Sequence, residues 1–146
     1  NVLHKSILVL GAGGVVPSII YSLLSMGCKK IFLSNRTIEK AENIKKKFEE
    51  VEVLKWKEIP DFDIVINATS VGLKGESLDL DFNTKDKVFY DVIYNPKETQ
   101  FLKRARENGN RIENGKLMFI YQANQSFSIW NNVIPKIDEE VLKILE

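Results

Sequence analysis

Apolar residues come along this chain in short unbroken runs separated by amphipathic stretches, and the alternation persists from end to end. The run Ser-Ile-Leu-Val-Leu at 6–10 has no polar interruption after its first residue, which predicts a strand buried on both faces. Residues 15–26 follow with helical periodicity, Pro17 lying in the first turn where its missing N–H costs nothing, and Gly27 closes the helix. A second strand is predicted at 30–34. Residues 38–50 form a charged amphipathic helix with Ala41, Ile44 and Phe48 on one face. Short strands are expected at 51–56, 62–68 and 87–94, with the polar, glycine-bearing stretch 71–83 as a long loop. A helix at 98–107 ends at Asn108-Gly109, and 111–114 is extended. Gly115 opens a helix reaching Trp130, and after Pro135 a terminal helix is expected at 138–145, with Val141, Leu142 and Leu145 on its apolar face.

Two junctions in this pattern carry chemistry. The first strand runs straight into Gly11-Ala12-Gly13-Gly14 and a helix. Gly11 permits a tight turn, Gly13 lets backbone approach a phosphate, and the helix start supplies free N–H groups and a positive dipole end. The usual third glycine position is Val16, with Gly14 as an extra glycine earlier. The second strand ends in Asn35-Arg36-Thr37. A dinucleotide-binding βαβ unit that prefers NAD has a carboxylate here for the ribose 2′-hydroxyl, whereas an Arg suits the 2′-phosphate of NADP. Arg36 is thus a fork of donors for that phosphate, with Lys40 one helical turn on; Asn35 can bond the ribose, and Thr37 reads equally as the cap of the next helix. Five or six strands alternating with helices predict an α/β domain, a Rossmann-type doubly wound, mostly parallel sheet with helices on both faces.

Composition narrows the setting. With 146 residues, 44% apolar and 28% charged, the chain is an ordinary globular domain, short for a complete two-substrate dehydrogenase. Its first residue is Asn rather than Met, so it reads as a piece of a longer protein. A formal net charge of +1 gives no field favouring nucleic acid or a membrane surface. One cysteine, Cys28, and one histidine, His4, leave no set of metal ligands, and the cysteine usage fits a reducing compartment, the cytoplasm.

Three later segments add detail: Asp63-Ile-Val-Ile-Asn67-Ala-Thr69-Ser70-Val-Gly72, Tyr90-Asp91-Val92-Ile93-Tyr94-Asn95-Pro96, and Gly115-Lys-Leu-Met118-Phe-Ile-Tyr-Gln122. Together with the two junctions they resemble, over essentially the whole chain, the NADP-binding half of shikimate dehydrogenase. The resemblance implies that residues 1–146 form one NADP-binding domain of an enzyme reducing 3-dehydroshikimate to shikimate in chorismate and aromatic amino acid biosynthesis. It implies that Gly11, Ala12, Gly13, Gly14 and Val15 hold the pyrophosphate, and Asn35, Arg36, Thr37 and Lys40 the 2′-phosphate end. Thr69 and Ser70 lie beside the cofactor, Val92, Gly115 and Met118 flank the nicotinamide, and Tyr94 and Gln122 reach the substrate. Pro17 and Val92 depart from residues common in the family at those places.

On the residues alone, Tyr94 is equally a strand-end tyrosine and Gln122 an exposed helical position. Phe127 and Trp130, spaced i and i+3, suit core packing, while Lys103, Arg104 and Arg106 form a solvated face. No general acid is evident: His4 precedes the first strand, and Asp91 reads as a structural hydrogen-bonder. In the family, a catalytic Lys–Asp pair belongs to an N-terminal substrate domain. The terminal helices are therefore expected to pack toward that domain, or against a second copy in a homodimer, and the chain alone to bind cofactor without turnover. Two alternatives stand beside this: a non-catalytic nucleotide-binding module, and a quinate/shikimate dehydrogenase using NAD.

Overall fold

The computed structural model describes residues 1–143. Six parallel strands form one sheet: β1 (Ser6–Leu10), β2 (Lys30–Ser34), β3 (Val51–Leu54), β4 (Ile64–Asn67), β5 (Val88–Asp91) and β6 (Arg111–Glu113). They lie in the order β3-β2-β1-β4-β5-β6, the dinucleotide-fold order that reverses direction beside the first strand. The helices are α1 (Val16–Ser25), α2 (Ile38–Lys45), α3 (Gln100–Glu107), α4 (Lys116–Asn131) and α5 (Glu139–Lys143).

The central strand explains the uninterrupted apolar run. Its side chains alternate between two cores, and Ile7, Leu8, Val9 and Leu10 are all buried. Ile7 and Val9 join Val16, Ile20, Ala41 and Ile44 from α1 and α2. Leu8 and Leu10 join Val65, Leu102 and the rings of Phe62, Phe82, Phe89 and Phe101. Those rings meet mostly edge to face, as the Phe82–Phe89 pair does at 5.3 Å and 89°, the arrangement that sets a positive ring edge on a negative face.

Three expectations are corrected, and a fourth, the loop, holds with an addition. The second helix ends at Lys45 rather than at residue 50: Phe48 N–H doubles back to the carbonyls of Ile44 and Lys45, which lets Phe48 pack on the first core before β3 begins. Residues 71–83 form the expected loop, but Leu78 and Phe82 are buried against the second core. Thr37 occupies the cap position of α2 without its side chain accepting a capping bond. Phe127 and Trp130 are not core residues; they are 47% and 81% exposed. Of the expected terminal helix, 139–143 is helical and Leu145 lies outside the described residues.

Candidate cofactor cleft

Every strand that ends near the reversal point contributes to one cleft of about 660 Å³ along the carboxyl edge of the sheet. Neighbouring strand ends are tied by backbone bonds: Gly11 N–H to Ser34 O (2.8 Å), Ala68 N–H to Leu10 O (2.8 Å) and Val92 N–H to Asn67 O (3.0 Å). Gly11 turns the chain at φ +108°, and a Cβ there would stand 2.8 Å from the Ala68 carbonyl oxygen, so both conformation and space demand glycine. At Gly13 and Gly14 a Cβ would meet nothing within 4 Å. The turn is therefore open toward the cleft. The amides of residues 12–15 donate to no carbonyl among the described residues, since the first bond of the turn is Val16 N–H to Gly13 O. Four such donors beside a helix start make a seat for anionic oxygen.

The opposite end is cationic. Arg36 and Lys40 line the same cleft, and their side chains make no hydrogen bond or ion pair among the described residues. Asn35 is partly committed: its side-chain amide donates to Thr37 O at 2.7 Å, which shapes the turn and leaves its oxygen free. Among the described residues, no carboxylate lines the cleft to compete for either cation.

Behind the cleft, a buried polar knot fixes the ends of β4 and β5. The Asp91 carboxylate accepts from Asn67 Nδ2 (3.1 Å), Thr99 Oγ1 (2.7 Å) and Ile93 N–H (3.0 Å). Burial pushes its carboxyl above the ordinary carboxylate value, while those three donors pull it back. Asn67 also accepts from the hydroxyl of Thr69 at 2.7 Å, so Thr69 is committed to the loop whereas Ser70 stays exposed. Asp91 is thus a structural residue, fully buried and outside the cleft lining.

The cleft gathers Gly11, Ala12, Gly13, Gly14, Val15, Asn35, Arg36, Thr37, Lys40, Thr69, Ser70, Val92 and Tyr94 from the residues singled out in the sequence. Met118 and Gln122 line an adjoining groove of about 690 Å³ between α1 and α4, which shares Gly14 and Val15 with the cleft. Gly115 lines neither. It sits so close beneath Val92 that a Cβ would lie 1.9 Å from that residue's carbonyl oxygen, and its N–H donates to Ile93 O. Tyr94 stacks on Phe119 of α4, ring centroids 4.6 Å apart. Sequence reasoning missed Trp56, Leu73, Ile93 and Asn95 in the cleft wall. The signal available for Trp56 was its place just after a strand, where open α/β sheets hold ligands. Among the described residues, no group of His, Cys, Asp and Glu could hold a metal ion, and no helix is long and apolar enough to cross a membrane.

The profile of the family described as shikimate / quinate 5-dehydrogenase matches residues 1–74. The shikimate dehydrogenase (NADP(+)) of Pelagibacter ubique is 52% identical over all of this chain and 56% of its own length. The crystal structure of shikimate dehydrogenase from Aquifex aeolicus superposes with a TM-score of 0.83 at 42% identity, covering 93% of this chain and 52% of that one. A shikimate dehydrogenase solved in complex with NADP+ gives a TM-score of 0.81 at 35% identity, covering 99% of this chain and 54% of that one. The chain spans about half the length of the relatives it matches.

Proposed function

Because this chain belongs to the shikimate / quinate 5-dehydrogenase family, we propose that it is the NADP-binding half of an enzyme that reversibly reduces 3-dehydroshikimate to shikimate. One observation carries the reading: a single cleft offers, at one end, amides of residues 12–15 and, at the other, the side chains of Arg36 and Lys40, all without a partner among the described residues. A dinucleotide with a pyrophosphate in its middle and a 2′-phosphate on its adenosine has the charges such a cleft lacks.

In this reading the amides of Gly13, Gly14 and Val15 bind the pyrophosphate, and Arg36 and Lys40 the 2′-phosphate, with Asn35 Oδ1 accepting from the ribose. Thr69 and Ser70 border the cofactor, Val92, Gly115 and Met118 shape the nicotinamide end, and Tyr94 and Gln122 orient the substrate. When bound, NADPH supplies the hydride for the substrate ketone. The alkoxide so formed needs a proton, and among the described residues the cleft holds neither carboxylic acid nor histidine. We assign that proton to a Lys–Asp pair in a substrate half packed against α4 and α5, where the exposed Phe127, Ile129 and Trp130 offer an apolar face.

Calorimetric titration with NADP, and separately NAD, tests the assignment. Micromolar binding of NADP with NAD much weaker is expected, as is no measurable reduction of 3-dehydroshikimate by the chain alone. Replacing Arg36→Asp should weaken NADP by about 10- to 100-fold, the loss of one charged phosphate contact, and leave NAD little changed. Unaltered NADP affinity in that variant would move the 2′-phosphate elsewhere. Preference for NAD in the parent chain would favour an NAD-dependent enzyme of the quinate type.

A further inference from the structure

The glycine turn and the two cations account for the charged parts of a dinucleotide, but not for the flat apolar base that lies beyond the 2′-phosphate. We propose that Trp56 is the adenine-binding residue of the cleft, its indole forming the wall on which the base rests; the inference depends on the cofactor reading above.

Trp56 lines the cleft together with Asn35, Arg36, Thr37 and Lys40. It is half-buried, packed on one side against the second core. Its indole N–H has no hydrogen-bond partner among the described residues. The segment that carries it is pinned on both sides of Trp56. Ser34 Oγ, at the end of β2 beside Arg36, donates to Lys55 O at 3.3 Å. Glu58 N–H returns to the same carbonyl at 3.1 Å, and Glu58 Oε2 accepts from Lys55 N–H at 3.3 Å. Lys57 takes up φ +74°, and its ammonium pairs with Asp79 of the long loop. These bonds anchor residues 55–58 both to the end of β2, just before Arg36, and to the loop beyond the cleft.

A rigid aromatic plane next to a phosphate-binding Arg is what recognition of a purine nucleotide asks for. Stacking is tolerant of hydrogen-bond pattern and gains from a ring that is already fixed. The donor-only indole N–H leaves room for one further bond to an acceptor on the base or the 2′-phosphate. Trp56 then reads the adenosine 2′-phosphate end of the cofactor and is indifferent to its nicotinamide end.

The chain has two tryptophans, Trp56 and Trp130, and Trp130 is 81% exposed on α4, outside the cleft. The variant Trp130→Phe therefore leaves Trp56 as the sole tryptophan reporter. Its emission should be quenched or shifted on titration with NADP and with adenosine 2′,5′-bisphosphate, and be unmoved by nicotinamide mononucleotide. In calorimetry, Trp56→Ala should weaken NADP by about 5- to 150-fold, the range for loss of one base–aromatic stack, and Trp56→Phe should recover most of it. Absence of NADP heat in the parent chain would remove the cofactor reading and this one together. NADP heat in the parent, with emission of the single-tryptophan chain unchanged, would overturn the role of Trp56 alone, whether or not Trp56→Ala folds. Equal losses in Trp56→Phe and Trp56→Ala would also overturn it, reducing the residue to packing.

Discussion

Gly13 offers a substitution in which folding and binding should move in opposite directions. A Cβ built on Gly13 has no atom within 4 Å, and its φ is not in the left-handed region. Alanine there therefore meets no clash and no backbone strain. It removes conformational freedom from the unfolded chain, which stabilises a protein by about 0.4–1 kcal/mol at a compatible position. For a domain of this size that raises Tm by about 1–4 °C. The empty space beside Gly13, however, is the mouth of the cleft, in front of the free amides of residues 12–15. A methyl group there holds a phosphate off at least one N–H. Loss of one charge-assisted bond, about 1.5–3 kcal/mol, weakens binding by about 10- to 150-fold. Thermal unfolding without ligand and calorimetry with NADP, on the same preparation, read the two effects. A lower Tm would show that the turn is not open as described. An unchanged NADP affinity at raised Tm would refute the seating of phosphate on these amides.

Two further substitutions probe the frame behind the cleft. Gly115→Ala forces a Cβ to within 1.9 Å of the Val92 carbonyl oxygen, backbone against backbone, although its φ of −75° suits any residue. We expect a loss of about 3–5 kcal/mol in urea unfolding, and a loss under 1 kcal/mol would mean that α4 can shift freely at its start. Thr99→Val takes a hydroxyl donor from buried Asp91 and the cap acceptor from Leu102 N–H. It should cost about 2–4 kcal/mol at neutral pH. The lost bond favoured the charged carboxylate, so the substitution raises the Asp91 pKa still further above its unfolded value. The stability deficit against the parent should therefore be largest at neutral pH and shrink as pH falls and Asp91 protonates in the variant first. A deficit constant with pH would separate Thr99 from the Asp91 charge.

The sheet was legible because a parallel strand covered on both faces has to be apolar at every position, and residues 7–10, 31–33 and 64–66 are. The glycine turn and Arg36 were legible because phosphate chemistry restricts residue type at the ends of such strands. What escaped depended on neighbours distant in sequence. Leu78 and Phe82 sit in a stretch too polar and too short of periodicity to read as core, and only the approach of Phe62, Phe89 and Phe101 buries Phe82. Phe127 and Trp130 have the spacing of a core face, but Phe127 only borders an open groove shared with Pro135, Ile137 and Val141, and both side chains stay exposed. Trp56 escaped because one tryptophan after a short strand has no pattern. Thr37 holds the cap position, yet the turn there is shaped by the Asn35 side chain bonding to its carbonyl.

The sparse burial of α4 has a consequence for how this chain breathes. Of its sixteen residues only Ile120 is buried, whereas β1 is closed on both sides. Local opening free energies follow such differences in apolar contact. Amide hydrogen exchange would divide the chain into a slow set along β1, β2 and β4 and a fast set along α4. The stacked Tyr94–Phe119 pair and the tight seat of Gly115 are the points where the two sets meet. Whatever settles on α4 therefore acts on a helix held at its start by Gly115, Phe119 and Ile120 and in its middle by the bond from Asn124 Nδ2 to Pro135 O, and its binding energy goes first into suppressing fraying beyond those points.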